Sequence, residues 1–233
     1  MHIDAARKNR ISYEHIPPEA VGNQTRILIS DQAGKSAIVE KLEREYPNLD
    51  KRSPETQRVF EQLKQAEREG YQFEGAEASF FLLAQKALGT YQPTFHLHGF
   101  RIIIEKFEQH GMRAEATIKV REPNGLEEHT AAEGDGPVNA LDNALRKALE
   151  RFYPFLQEVK LTDYTVRVLD SKASTAARVR VLIESTDGDE TWGTVGVSEN
   201  IIEASWMALV DSFEYKILKE QRKHRTNATR PEL

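Results

Sequence analysis

A Gly-Asp-Gly-Pro corner at residues 134–137 is the place where this sequence best suits the binding of a small ligand. Gly136 is predicted as the N-cap of a helix and Pro137 as its first residue. A helix N-terminus carries unpaired backbone N–H groups and a partial positive charge, so it attracts an anion. Gly134 and Gly136 leave the backbone accessible, and Asp135 can pair with an ammonium group. A free amino acid offers both charges, although most corners of this kind are simple turns and the residues alone favour an empty one.

The corner occurs twice. A shift of 62 positions carries Gly134 onto Gly196 and Gly136 onto Ser198. The pattern predicts Ser198 as a second N-cap and Glu199 as the first residue of a second helix. A duplicated strand–corner–helix unit suggests two-fold pseudo-symmetry, with two helix N-termini that could face a shared cleft.

Other candidate sites carry weaker signals. Asp163 and Tyr164 could line a pocket near the first corner, but an exposed pair on a strand is the commoner arrangement. His96 and His98 could ligate a metal on one strand face, but no third ligand accompanies them, so they are predicted as a surface pair. No catalytic Ser/His/Asp or Cys/His set and no convincing pair of carboxylates is visible, so no metal site or active site is predicted.

The elements around the corners read βββα twice. Alternating or β-branched runs predict strands at about 95–107, 113–121 and 126–132, and again at 160–169, 177–183 and 191–197. A long amphipathic helix follows each third strand. Two antiparallel three-stranded sheets, each covered by a helix, define an α+β fold.

Residues 1–90 have a different character. The sequence predicts a mostly helical linker subdomain, with one short strand at 25–30 and helices at about 35–46, 53–70 and 77–88. The duplicated domain is predicted over 91–220, and a basic, disordered tail over 221–233.

Composition excludes several classes of protein. The chain has 233 residues, no cysteine and a net charge of −5. The acidic balance argues against nucleic acid as a partner, and the lack of cysteine excludes disulfides and thiolate metal sites. No apolar run is long enough for a membrane span and no secretory signal is visible, so a cytoplasmic location is predicted.

The second long helix has an unusually wide apolar arc. Ile202, Trp206, Leu209 and Phe213 form one stripe, and Met207 with its neighbours widens it. A helix of this kind is buried on two sides. The pattern favours a homodimer built on this helix, the alternative being packing of the two halves within one chain.

Several long segments resemble the 2-isopropylmalate synthase/citramalate synthase family. They are TAAEGDGPVNALDNALRKAL, TWGTVGVSENIIEASWMALVDS, HIDAARKN, SYEHIPPEAVGN and YQFEGAEASF. The segments are most similar to those of the citramalate synthase branch, and the resemblance spans essentially the whole chain. It implies the region that follows the catalytic TIM barrel. The barrel, with its divalent metal and acetyl-CoA sites, is absent from this sequence, so the chain alone should bind no cofactor and be inactive.

The resemblance also implies functional residues. His2 matches a histidine that assists catalysis from outside the barrel, and is expected to act only together with a barrel. The duplicated domain is expected to dimerise and to bind the end product of the pathway near the corners. The implied effector-binding residues are Asp135, Gly136, Pro137, Leu161, Asp163, Tyr164, Val168, Ala173, Ala177, Thr194 and Val197.

Three functional hypotheses follow. The first is an isoleucine-sensing domain of a citramalate synthase, which condenses acetyl-CoA with pyruvate. The second is a leucine-sensing domain of a 2-isopropylmalate synthase. The third, of another class, is a dimerisation scaffold without a ligand.

Overall fold

The computed structural model describes residues 16, 20, 34–43, 45–108, 111–169 and 177–228. The strand predicted at 25–30, His2 and Ala173 lie outside these residues.

Five helices and six strands make up the described chain. The helices are α1 (Lys35–Leu42), α2 (Pro54–Glu69), α3 (Glu77–Leu88), α4 (Pro137–Phe152) and α5 (Ile201–Ala228), with a short 3₁₀ helix at Pro154–Glu158. The strands are β1 (His96–Phe107), β2 (Gly111–Arg121), β3 (Glu127–Gly134), β4 (Lys160–Val168), β5 (Val179–Thr186) and β6 (Thr191–Ser198).

The strands form two separate antiparallel sheets, ordered β1-β2-β3 and β4-β5-β6. Helix α4 packs on the first sheet and α5 on the second. We call residues 96–152 the first unit and residues 160–228 the second unit. The predicted α+β fold with a duplicated βββα arrangement is confirmed.

The structure corrects the register of the repeat. Thr130 donates a hydrogen bond to the carbonyl oxygen of Ala144 at 2.9 Å, and Thr194 donates to that of Ala208 at 2.8 Å. These equivalent contacts are 64 positions apart, as are the first residues of α4 and α5. The predicted shift of 62 aligned glycines that occupy different rows of the two sheets. Gly134 pairs with Ala114 and is equivalent to Ser198, whereas Gly196 pairs with Val181, two rows further into its sheet.

Helix α2 begins and ends where the sequence predicts, and α3 ends where it predicts. Ser53 accepts a hydrogen bond from the backbone N–H of Thr56 at 3.1 Å, and Pro54 is the first residue of α2. Gly70 ends α2 and Gly89 ends α3, both in the left-handed conformation that favours glycine. Helix α1 is shorter than predicted and ends at Leu42 rather than near Tyr46.

These helices pack on the second unit. A cluster that includes Leu63, Phe73 and Phe80 from the N-terminal region contains Val195 and Val197 of β6. At Gly193 the approach is closest, because a Cβ atom there would lie 1.6 Å from the carbonyl oxygen of Gly75. The N-terminal helices therefore cover the face of the second sheet that α5 leaves open.

Helix α5 is buried by its own chain. Ala204, Ala208 and Phe213 belong to the main core, and α5 also contacts α3 and α4. Much of the wide apolar arc is therefore buried within one chain, and a dimer built on this helix stays a prediction. The sequence pattern of α5 indicates that the helix is buried, but it does not show how many neighbouring elements bury it.

The last helix also continues past the predicted end of the domain. Residues 221–228 continue α5 as a helix. The side chain of Arg222 lies 4.1 Å from the centre of the Phe81 ring, and Lys223 pairs with Glu220 at 2.8 Å. Contacts with α3 and charge pairs along the helix thus stabilise this extra length.

In the part of the chain that the structure describes, none of the helices combines the length and the apolar character needed to cross a membrane. Within the same ranges, no three His, Asp or Glu side chains converge as a metal site would require.

Candidate functional site

The first corner has an open helix N-terminus. Gly136 is the N-cap of α4 in an extended conformation, and no side chain caps the helix. Pro137 has no N–H, and the first turn holds no acidic residue. The side chain of Asp135 is exposed, while its backbone N–H donates to the side-chain oxygen of Asn139 at 3.2 Å. Apart from Gly136 and its two neighbours in the chain, no residue has an atom within 4 Å of where a Cβ of Gly136 would be. The corner therefore offers unpaired N–H groups to an anion and a carboxylate to a cation.

Gly134 serves packing rather than ligand access. A Cβ atom at this position would lie 2.3 Å from the backbone nitrogen of Ala140. The glycine therefore lets α4 sit directly on β3. Gly196 does the same in the second unit, where a Cβ would lie 2.0 Å from the carbonyl oxygen of Ala204. The ligand hypothesis keeps Gly136 as its accessible glycine.

The second corner is closed by its own side chains. Asn200 occupies the N-cap position, and its side-chain oxygen accepts from the N–H of Ile202 at 2.8 Å. The hydroxyl of Ser198 accepts from the N–H of Asn200 at 3.0 Å. The predicted cap at Ser198 and helix start at Glu199 were therefore wrong, because Ser198 ends β6 and α5 begins two residues further on. Glu203 adds negative charge to the first turn, so this corner does not suit an anion.

Tyr164 and Thr194 lie in one row of the second sheet, on either side of Ile183. The hydroxyl of Tyr164 is 2.8 Å from that of Ser205 on α5. Thr194 is fully buried and donates to a backbone carbonyl of the same helix. The structure thus brings these two predicted residues together, and both of their hydroxyls hold α5 on its sheet.

The remaining predicted residues of the second unit are spread over its surface and core. Asp163 is exposed and lies on the opposite face of the sheet from Tyr164, because neighbouring strand residues alternate. Val168 is exposed at the end of β4. Leu161 packs against the main core, Ala177 is buried, and Val197 faces the N-terminal helices.

Several of these predicted residues, among them Asp135, Asp163 and Val168, lie exposed on the surface. Two large cavities lie elsewhere, one between α2, α3 and α5 and the other between α1, α3 and α5. None of the predicted effector-binding residues lines either of them. The candidate site is therefore a surface, open at Asp135, Asp163 and Val168.

The two histidines of β1 lie on the surface as predicted. Both are exposed, and Nε2 of His98 lies 3.7 Å from a carboxylate oxygen of Glu127. A bulge in the pairing with β2 falls between Leu97 and Gly99. His98 is the unpaired residue of this bulge, so its side chain does not follow the regular alternation from His96.

The sequence analysis did not identify Asp211 as a candidate functional residue. Asp211 lies in the otherwise apolar stretch of α5 and lines the cavity between α2, α3 and α5. Its hydrogen-bond donor there is Ser79, a residue of α3. A lone acidic residue within an apolar helical stripe is a signal that could have identified it, but its partner is more than a hundred residues away in the chain.

Comparison with known proteins identifies the family. Residues 74–217 match the family described as "LeuA allosteric (dimerisation) domain". The chain is 55% identical over 222 residues to (R)-citramalate synthase of Geobacter sulfurreducens and 50% identical over 222 residues to that of Aquifex aeolicus, covering 95% of this chain and 42% of each relative. It is 31% identical over 227 residues to 2-isopropylmalate synthase of Aquifex aeolicus, covering 95% of this chain and 40% of the relative. The chain thus spans about two fifths of the length of these relatives. It belongs to the LeuA allosteric (dimerisation) domain family.

Proposed function

We propose that this chain is the regulatory and dimerisation region of a cytoplasmic citramalate synthase, and that it binds isoleucine as a feedback effector. The observation that carries the proposal is the identity of 55% and 50%, along 95% of the chain, with proteins named (R)-citramalate synthase. Identity to a protein named 2-isopropylmalate synthase is lower, at 31%. Condensation of acetyl-CoA with pyruvate would take place in a metal-containing barrel that this sequence does not include.

The geometry of the first corner supports an amino-acid effector. The uncapped N-terminus of α4 would receive the carboxylate through backbone N–H groups, and Asp135 would receive the ammonium group. The aliphatic side chain needs an apolar wall, which the corner itself does not supply. We assign that wall to residues of the second unit, including Val168, brought up by a second copy of the chain.

Apolar side chains at two free sheet edges support association with a second copy. Ile103 and Ile104 of β1 are 41% and 50% exposed, and Val166 and Val168 of β4 are 37% and 60% exposed. Both strands lie at the outer edge of their sheets. Apolar groups at such edges are typical of surfaces that pair with another chain. The description of the matched family also supports oligomerisation.

Isothermal titration calorimetry of this chain with isoleucine and, separately, with leucine tests the proposal. We expect isoleucine to bind more tightly, because one misplaced methyl in a fitted apolar pocket changes binding by about 1–3 kcal/mol. Asp135→Asn should weaken binding at least several-fold while leaving the thermal unfolding temperature of the free chain unchanged. Tighter binding of leucine would favour the 2-isopropylmalate synthase hypothesis.

Sedimentation velocity tests the assembly separately. A concentration-dependent dimer that gives neither heat nor a thermal shift with millimolar isoleucine or leucine would establish the scaffold hypothesis instead. A monomer at all concentrations would contradict the proposed dimer.

A further inference from the structure

A cavity of about 720 Å³ lies between the N-terminal helices and α5. None of the residues of the first corner lines it. Its apolar walls include Leu83 of α3, Val195 of β6, and Met207 and Val210 of α5. Lys86 and Asp211 are among its polar lining residues. The cavity is large enough for a small organic ligand.

The carboxylate of Asp211 is incompletely paired in this cavity. The hydroxyl of Ser79 donates to Oδ2 at 2.5 Å, and no other hydrogen-bond donor reaches this carboxylate among the residues that the structure describes. Lys86 attracts the charge from across the cavity, but its Nζ lies over the ring of Tyr91, 4.8 Å from the ring centre. Loss of solvation raises the pKa of Asp211 to about 6, against the pull of Lys86 and of the Ser79 hydroxyl.

We propose that this cavity binds a small ligand with a primary ammonium group and an aliphatic body, the ammonium pairing with Asp211. This site is distinct from the effector surface at the first corner and does not depend on the proposed function.

The lining accounts for both parts of the ligand. A partly buried carboxylate with one free oxygen is costly unless a cation or another donor pairs with it, and an ammonium group supplies both the charge and the hydrogen bond. The apolar walls exclude an ion such as ammonium itself as the best ligand, since they would remain exposed to solvent. Glu61 and Glu69 also line the cavity, so a ligand that is only an anion is disfavoured. A zwitterion could in addition place its carboxylate toward Lys86 or Arg58.

Occupancy would be transmitted to β6 through Ser79. The hydroxyl that donates to Asp211 also accepts from the backbone N–H of Val195 at 3.0 Å. A ligand that holds the carboxylate in its ionised form therefore holds this hydroxyl in the orientation that joins α3 to the edge of the second sheet. Ligand binding is expected to stabilise the contact between the N-terminal helices and the second unit.

The methionine methyl groups provide a local test. Met207 lines the cavity, whereas Met112 lies 61% exposed on β2 of the first unit and serves as the internal control. The full chain, labelled with ¹³C at the methionine methyls, would be titrated by NMR at pH 8 with 3-methylbutylamine, L-leucine, L-isoleucine and 4-methylpentanoate. We expect 3-methylbutylamine to shift the Met207 signal and not that of Met112, and 4-methylpentanoate, which has no ammonium group, to shift neither. A response to the two amino acids as strong as that to the amine would identify an amino acid as the ligand, and a weaker one would identify an alkylamine.

Asp211→Asn is the matched variant, because the amide keeps the shape of the side chain and can still accept from Ser79. It should weaken binding of 3-methylbutylamine by about tenfold or more, as expected for the loss of one charged hydrogen bond. Lowering the pH from 8 to 5 should weaken binding to the native chain in the same way, because Asp211 becomes protonated while the amine stays charged. Glu214 and Lys86 are the other charged groups that act on Asp211. Both side chains are still present in Asp211→Asn, so the variant tests the carboxylate of Asp211 alone.

Asp135→Asn separates this site from the proposed effector surface. It should leave the Met207 response unchanged even if it abolishes the heat of isoleucine binding. The cavity proposal is overturned if 3-methylbutylamine leaves Met207 unmoved at millimolar concentration, or if Asp211→Asn responds as the native chain does. Either result would leave the corner proposal standing.

Discussion

The two βββα units share their strand order and differ in what covers them. In the first unit, residues of β3 alternate between exposed and half-buried, so the outer face of that sheet meets solvent. In the second unit, β6 is buried on both faces from Trp192 to Val197. The reason is that α2 and α3 occupy the outer face of the second sheet, and α5 occupies the inner one.

The edge strands of the two units are protected by different means. Side chains of α4 reach the edge of β3, where Asn143 donates to the carbonyl oxygen of Glu133 at 3.0 Å and Lys147 to that of Ala131 at 3.2 Å. At the edge of β6, the backbone N–H of Val195 donates a hydrogen bond to the hydroxyl of Ser79, which belongs to the N-terminal helices. The first unit thus protects its edge with its own helix, and the second does so with a neighbour.

The turn between β2 and β3 and the turn between β5 and β6 also differ in how strongly they contact the rest of the chain. The turn at 122–126 of the first unit leaves Leu126 64% exposed. The turn of the second unit is fixed to α5, because Asp187 accepts from Lys216 at 2.8 Å and from the backbone N–H of Glu190 at 2.8 Å. The comparison indicates that the second unit is the fixed support of this region. The first unit keeps an open corner and an exposed sheet face.

The largest expected effect is at the contact between β6 and the N-terminal helices. Gly193→Ala should lower the free energy of unfolding by about 3 kcal/mol or more, because its Cβ would overlap the backbone of Gly75. His129 holds the equivalent position in β3 and is exposed, so His129→Ala should change stability by less than about 0.5 kcal/mol. Urea unfolding followed by circular dichroism measures both. Equal midpoints for the two variants would show that the units are supported alike.

The anchored hairpin predicts a dependence on acid. Burial alone would raise the pKa of Asp187, but hydrogen bonds from Lys216 and from the N–H of Glu190, with the attraction of Lys219, together lower it below its ordinary value of 3.8. Because the folded-state pKa is lowered, this stabilisation is complete above the ordinary value and is lost as the pH falls below it.

Asp187→Asn should therefore cost about 2 kcal/mol at neutral pH, as for loss of a hydrogen-bonded charge, and flatten the fall in stability below pH 4. Thermal unfolding between pH 2 and 7 measures this. Asn124→Ala in the first hairpin is the control and should leave the profile unchanged. A native acid profile in Asp187→Asn would contradict the assigned role.

Capping distinguishes the two corners at a smaller scale. Asn200→Ala removes the acceptor for the N–H of Ile202 and should lower the free energy of unfolding by about 1 kcal/mol. Chemical denaturation measures the loss. A change within error would mean that the start of α5 is held by packing alone.

The smallest stability effect is expected at the open corner. Gly136→Ser supplies a cap to α4 where space is free, and should raise the free energy of unfolding by about 0.3 kcal/mol. The same hydroxyl would occupy N–H groups that the proposed effector needs, so calorimetry should show isoleucine binding weakened several-fold. Undiminished binding would place the effector carboxylate away from this helix.

Local signals carried much of the prediction. Ser53, Pro54 and Gly70 gave the bounds of α2 because capping residues act on backbone groups within one turn of themselves. The alternation of apolar and polar residues predicted β2 and β5, because this pattern also depends only on residues close together in the chain. The corner at 134–137 was found because a glycine and a proline before an amphipathic helix form a local pattern.

Errors arose where a residue had more than one structural role. The glycines at 134 and 196 were aligned as a repeat, but each is required by close packing under its own helix, and the two are not equivalent positions of the 64-residue repeat. The apolar arc of α5 predicted burial on two sides but could not distinguish neighbours of the same chain from a second copy, because periodicity reports burial and not the identity of the neighbour.

The sequence by itself therefore determined the two βββα units, the helices before them and the open corner, since each depends on contacts between residues close in the chain. Only the tertiary structure decided that the N-terminal helices cover one unit and not the other. It also decided that Ser79 meets Asp211 and that Tyr164 and Asp163 lie on opposite faces. Those outcomes depend on packing between segments more than a hundred residues apart or on strand register, where many pairings satisfy the same local pattern and only one fills the core.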